Sequence, residues 1–85
     1  MIQRTLLALS DPTRREILKM LRKGDRTVGE ISERFDISAP AISRHLSVLK
    51  EADLVASRRE GKYIYYSSRF EVIEDIREYL KVFLE

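Results

Sequence analysis

The stretch Ile37–Leu49, ISAPAISRHLSVL, constrains this chain more than any other, because its apolar and polar positions separate onto two faces of one helix. Ser38 is placed to cap it, and Pro40 falls in the first turn, where a missing N–H costs nothing. Ile42, Leu46 and Leu49 recur at helical spacing and point inward together. Pro40, Ser43, Arg44 and Ser47 point outward, so the outer face is short-chained, polar and basic until Glu51. A helix of this kind can enter a DNA major groove without its own side chains blocking the approach.

The flanking segments extend the pattern. Thr27-Val28-Gly29-Glu30 fits a capping box, and the helix that it opens turns Val28, Ile31 and Phe35 inward. Asp36-Ile37 is then a short turn, which makes residues 27–52 a helix-turn-helix. Downstream, Leu54–Arg59 and Lys62–Ser67 are β-prone runs around a Gly-containing turn at Glu60-Gly61, hence a hairpin over about 54–67. Arg58, Arg59 and Lys62 cluster at its tip, as in a wing that reaches phosphates. Upstream, the spacing predicts a first helix over about 2–9 and a second from Pro12, capped by Asp11 and stopped near Lys23 by Gly24. A final helix covers about 70–84. The expected fold is mainly α with a β-hairpin wing: four helices, two strands and a fifth helix in one domain, 1–85.

Four blocks in register resemble one family. They are Leu9-Ser10-Asp11-Pro12-Thr13-Arg14-Arg15-Glu16-Ile17-Leu18, Ser38-Ala39-Pro40-Ala41-Ile42-Ser43-Arg44-His45-Leu46, Leu49-Lys50-Glu51-Ala52-Asp53-Leu54-Val55 and Arg59-Glu60-Gly61-Lys62-Tyr63-Ile64-Tyr65-Tyr66. Together they resemble the small winged helix-turn-helix repressors of the ArsR/SmtB type, and within it the short autorepressors of the sporulation-delay toxin-immunity kind. The resemblance implies that Ser38, Ala39, Pro40, Ser43 and Arg44 approach the major groove. It also implies a two-fold dimer. Metal sensors of that family carry a Cys-x-Cys pair at the start of the third helix or an Asp/His set on the last. Here the first position reads Thr27-Val28-Gly29, and the last helix has no histidine. Loss of transition-metal sensing is the expectation, with no cofactor and no metal.

Composition agrees. Cysteine is absent, which excludes disulfides and thiolate ligands, and one histidine makes a poor transition-metal site. Hydrophobic residues at 44% against 35% charged describe a globular chain rather than a disordered one. No apolar run of membrane-spanning length and no signal peptide occur, so the expected location is the cytoplasm. The net charge of +2 is uneven. Residues 70–85 hold five acids against Arg77 and Lys81, leaving the excess of basic residues on the rest of the chain.

Side-chain roles remain to be assigned. Arg44 can bond a guanine edge in two places, against plain solvation as the alternative. Ser43 and Ser47 can bond phosphates or bases, or merely cover the helix. His45 lies on the flank of its helix and is expected to bond a backbone or phosphate oxygen. Arg14 and Arg15 can touch flanking DNA backbone or pair with Asp11 or Glu16. Glu71, Glu74, Asp75 and Glu78 read as a solvated acidic face. The last helix has a broad apolar stripe of Ile73, Ile76, Leu80 and Phe83, and the first adds Ile2, Leu6 and Leu9. Either the last helix folds back on its own core or, more simply, a dimer buries these residues between subunits.

The expected function is sequence-specific binding of double-stranded DNA at an inverted-repeat operator by a dimeric repressor. Its occupancy would be set by its own level or by a regulatory protein partner. The alternatives are a winged-helix interaction module that does not read DNA and a repressor with an unrecognised effector site. An enzyme is not expected, for lack of a nucleophile set or phosphate loop.

Overall fold

The computed structural model describes residues 2–85, and three of its helices start at a residue whose side chain caps them. Helix α1 (Ile2–Ala8) leads to α2 (Pro12–Arg22), whose N-cap Asp11 accepts a hydrogen bond from the Arg14 N–H. A two-residue strand β1 (Arg26–Thr27) precedes α3 (Val28–Phe35) and α4 (Ala39–Glu51). The strands β2 (Val55–Glu60) and β3 (Tyr63–Ser68) form the hairpin, and α5 (Phe70–Leu80) closes the order. This is a winged helix-turn-helix.

The core is a single cluster drawn from every helix. Ile17, Ile31, Ile42, Leu46, Leu49 and Leu54 are completely buried, with Ala8, Leu21, Ala52, Val55 and Ile76 around them. The end of α4 is fixed by Asp53 in the left-handed conformation (φ 61°). The Asp53 N–H donates to the Lys50 carbonyl and the Leu54 N–H to that of Leu49. Both leucines of this Schellman turn are buried, which sends the chain directly into β2. Thr5, the one buried polar side chain among the described residues, donates its hydroxyl to the Ala52 carbonyl at 3.4 Å and joins α1 to the far end of α4.

Three features depart from the expectation. The sheet has three antiparallel strands, in the order β1-β3-β2, because Arg26 and Thr27 pair with Tyr66 and Tyr65. Two residues carry no alternation for a sequence reading to detect. The last helix ends at Leu80 and tightens into a 3₁₀ turn over Lys81–Phe83, closed by the Leu84 N–H on the Lys81 carbonyl. Ile76, assigned above to the dimer face, is only 5% exposed and belongs to the protomer's own core. Ile2, Leu9 and Ile73 also pack partly against that core. Leu6, Leu80 and Phe83 remain exposed, beside Leu7, Tyr79, Val82 and Leu84. No helix among the described residues is long and apolar enough to cross a membrane.

Candidate nucleic-acid interface

Local sequence sets the angle between α3 and α4. The Thr27 hydroxyl accepts from the Glu30 N–H at 3.2 Å, while the Glu30 carboxylate accepts from the Thr27 N–H at 2.9 Å, so the capping box is complete. The turn after α3 places Asp36 in the left-handed region (φ 53°). The N–H groups of Asp36 and Ile37 both donate to the Ser32 carbonyl, and the Ser32 hydroxyl donates back to the Ile37 carbonyl. Ser38 then caps α4 by accepting from the Ala41 N–H at 3.4 Å. These bonds satisfy the backbone groups that two abutting helix ends would otherwise orphan.

The two faces of α4 separate as its spacing predicts. Ile42, Leu46 and Leu49 have no exposed surface. Ser38, Ala39, Pro40, Ser43, Arg44 and Ser47 are all exposed on the opposite side. The ion pairs of the described residues use Lys19, His45, Arg58, Arg69, Arg77 and Lys81, and Arg44 enters none of them. Its guanidinium therefore projects from the helix with its donors available. Lys50, at the end of the same helix, reaches across to the Ser57 hydroxyl of β2 at 2.8 Å.

His45 does not share the outer face. It is half-buried against the start of α2, with Nδ1 4.0 Å from the Asp11 carboxylate and 3.5 Å from Arg14 Nη1. The Asp11 carboxyl is held below its ordinary value, chiefly by the Arg14 backbone N–H, with His45 and the Arg14 charge adding to the effect. Arg14 and Arg15 both bond carbonyls at the end of α1. Arg14 donates to the carbonyls of Ala8 at 2.6 Å and Leu7 at 3.3 Å, and Arg15 to that of Leu9 at 2.8 Å. Both thus cap the C-terminal end of α1, where orphan carbonyls and the helix dipole favour cations.

The wing is a two-residue hairpin. Glu60 pairs with Tyr63, leaving Gly61 and Lys62 in the loop, and Gly61 takes the positive φ of 62° that the first loop position needs. Its three cations differ in circumstance. Arg59 is exposed and donates only to the Gly61 carbonyl, at 3.1 Å. Lys62 is exposed with its ammonium 5.4 Å from the Tyr63 ring centre. Arg58, expected to contact phosphates, is engaged by groups of the protein itself. Its Nε donates to Glu60 at 2.6 Å, its Nη1 is ion-paired with Asp25, and its plane lies 5.2 Å from the Tyr65 ring centre. The hydrogen bonds with Glu60 and Asp25 raise its pKa above the usual guanidinium value. A sequence reading misses Asp25 because it lies 33 residues from Arg58.

The acidic positions of α5 are largely partnered by their own bases. Glu71 pairs with Arg69 at 3.0 Å, Glu74 with Arg77 at 2.6 Å and Glu78 with Lys81 at 3.2 Å. Among the described residues no three His, Cys, Asp or Glu side chains group as metal ligands would.

Known proteins share this arrangement. The transcriptional repressor SdpR of Bacillus subtilis (strain 168) is 52% identical over 68 residues, covering 80% of this chain and 76% of its own. The arsenic resistance transcriptional regulator ArsR1 of Pseudomonas putida is 39% identical over 74 residues, covering 86% of this chain but 58% of that regulator. The solution structure of a homodimeric winged helix-turn-helix DNA-binding domain from Mycobacterium bovis superposes with a TM-score of 0.82 at 30% identity, covering 98% of this chain and 77% of that one. Residues 11–57 match the family model of bacterial regulatory proteins of the arsR type. By that match and by its relatives, this chain belongs to the ArsR family of transcriptional regulators.

Proposed function

We propose that residues 1–85 act as a homodimeric winged-helix repressor that reads an inverted-repeat operator and responds to no transition metal. The observation that carries this reading is the outer face of α4. Small exposed side chains at Ser38, Ala39, Pro40, Ser43 and Ser47 surround an unpaired Arg44, and a completely buried row of Ile42, Leu46 and Leu49 backs them. In a two-fold dimer, two copies of α4 enter successive major grooves about one helical turn apart. Arg59 and Lys62 approach the phosphates beside each half-site, where their contribution is largely independent of sequence. His45, turned to α2, orients α4 rather than reading bases.

The homodimeric Mycobacterium bovis neighbour and the exposed apolar row of Leu6, Leu80 and Phe83 support the dimer. The absence of cysteine and the single histidine support metal independence, although the relatives include an arsenic-resistance regulator. Control then rests with the protein's own concentration or with a protein partner. Binding over a promoter excludes polymerase, and autorepression follows if that promoter is its own.

Selection of bound duplexes from a random pool tests the reading. An inverted repeat with half-sites one helical turn apart is the expected product. Retention of no duplex in preference to scrambled competitor at moderate ionic strength would overturn it. The salt dependence of binding separates a DNA reader from a protein-interaction module, which has no steep slope.

A further inference from the structure

The two faces of the wing carry different cations. Cross-strand register puts Ser57 opposite Tyr66 and Arg59 opposite Ile64 on one face. Arg58 opposite Tyr65 and Glu60 opposite Tyr63 lie on the other. The first face continues from the core through Val55 and Tyr66 and meets α4 through the Lys50–Ser57 bond. The second face meets the connection between α2 and β1, where Arg58 pairs with Asp25.

We infer that Arg58 is a positioning residue of the wing, tied to Asp25 so that Arg59 and Lys62 are aimed at phosphates, and makes no phosphate contact itself. The inference rests on the DNA-binding reading above. The argument begins with how little else supports the hairpin. β1 pairs with β3 only at Tyr66 and Tyr65, so the outer half of the wing is a two-stranded ribbon. Such ribbons are marginal in water without further packing. The Asp25–Arg58 pair crosses the face of β3 at the level of Tyr65 and ties β2, the strand that β1 does not reach, to the residue before β1. Two carboxylates and an aromatic face engage the guanidinium together, the network arrangement in which an exposed ion pair has an effect. With Nε given to Glu60 and Nη1 to Asp25, a phosphate would meet a guanidinium whose charge two carboxylates already offset.

The test compares salt dependence of duplex binding for the full chain and for Arg58→Ala, Arg59→Ala and Asp25→Asn, on the duplex recovered by selection. Each neutralised phosphate contributes about 0.9 to the slope of log affinity against log salt. Arg59→Ala should therefore lower the slope by about 0.9 per site. Arg58→Ala should weaken binding several-fold with the slope unchanged. Asp25→Asn should also weaken binding, although it makes the protein more positive and simple charge counting predicts the reverse. If Arg58 instead contacts phosphate, Arg58→Ala loses slope as Arg59→Ala does, and Asp25→Asn, by releasing the guanidinium, tightens binding. Either result overturns the inference. Hydrogen exchange of the free protein provides a reading without DNA. Amides of Tyr63–Ser68 should exchange faster in both Arg58→Ala and Asp25→Asn, and unchanged protection would remove the brace. If both variants lose protection while the wild-type protein binds no duplex, the DNA reading falls and the brace stands.

Discussion

Arg44 lies on the side of α4 opposite the buried Ile42 and Leu46, and it is exposed. An arginine presented in this way is suited to bidentate recognition of guanine. Arg44→Ala should weaken binding to the selected operator by roughly 1–3 kcal/mol and relax preference at one base position. Equal loss on every sequence, measured by competition, would remove the base-reading role. Asp11 gives a prediction of a different kind. Its carboxyl is depressed in the folded chain by the Arg14 N–H, so its contribution to stability is present above the unfolded value near 3.8 and is lost as pH falls through the lower folded value. Asn caps a helix about as well but does not titrate. Asp11→Asn should therefore melt below wild type at neutral pH, and the gap should close as pH drops under 3.8, followed by thermal unfolding. The outer face of α4 was readable from spacing alone. The engagement of Arg58 and His45 was not, because their partners lie 33 and 31 residues away and nothing local marks them.

At the scale of elements, α3 and α4 were legible because both begin with side chains that bond their own backbone. Caps are local chemistry, and local chemistry survives in a sequence. Thr27→Ala should cost about 1 kcal/mol of folding stability, read by denaturant unfolding, since it opens the capping box. Leu46→Ala should cost more, roughly 2–5 kcal/mol, because the side chain is completely enclosed. A loss below 1 kcal/mol in that variant would mean that the α4 row is not the core described here. The hairpin was legible from its Gly and β-prone runs, but its loop lies one residue later than expected, at Gly61-Lys62. That shift places Lys62 in the turn itself. β1 could not be read, since its pairing depends wholly on where β3 lands.

For the whole molecule, breadth of the apolar stripe on α5 was visible, but its division was not. Ile76 and Leu80 are one helical turn apart, yet the first is in the core and the second is 47% exposed. Only the packing of α5 against the end of α4 and α1 separates them. Leu80→Glu should halve the solution mass of a dimer without unfolding the protomer, measured by sedimentation, and an unaltered mass would rule out this face as the seam. The charge division, with acids gathered on the last helix, leaves the rest of the chain comparatively positive and was legible from composition by segment.

The first helix is fastened to the fourth in two places. Thr5 holds the Ala52 carbonyl, and the Arg14 fork bridges the final carbonyls of α1 to His45 midway along α4. α1 is thus tied to α4 at two separate points along it, His45 and the residue that follows its last turn, Ala52. If α1 lies at the seam of a dimer, a roll between the subunits would pass through these ties and alter the spacing of the paired fourth helices.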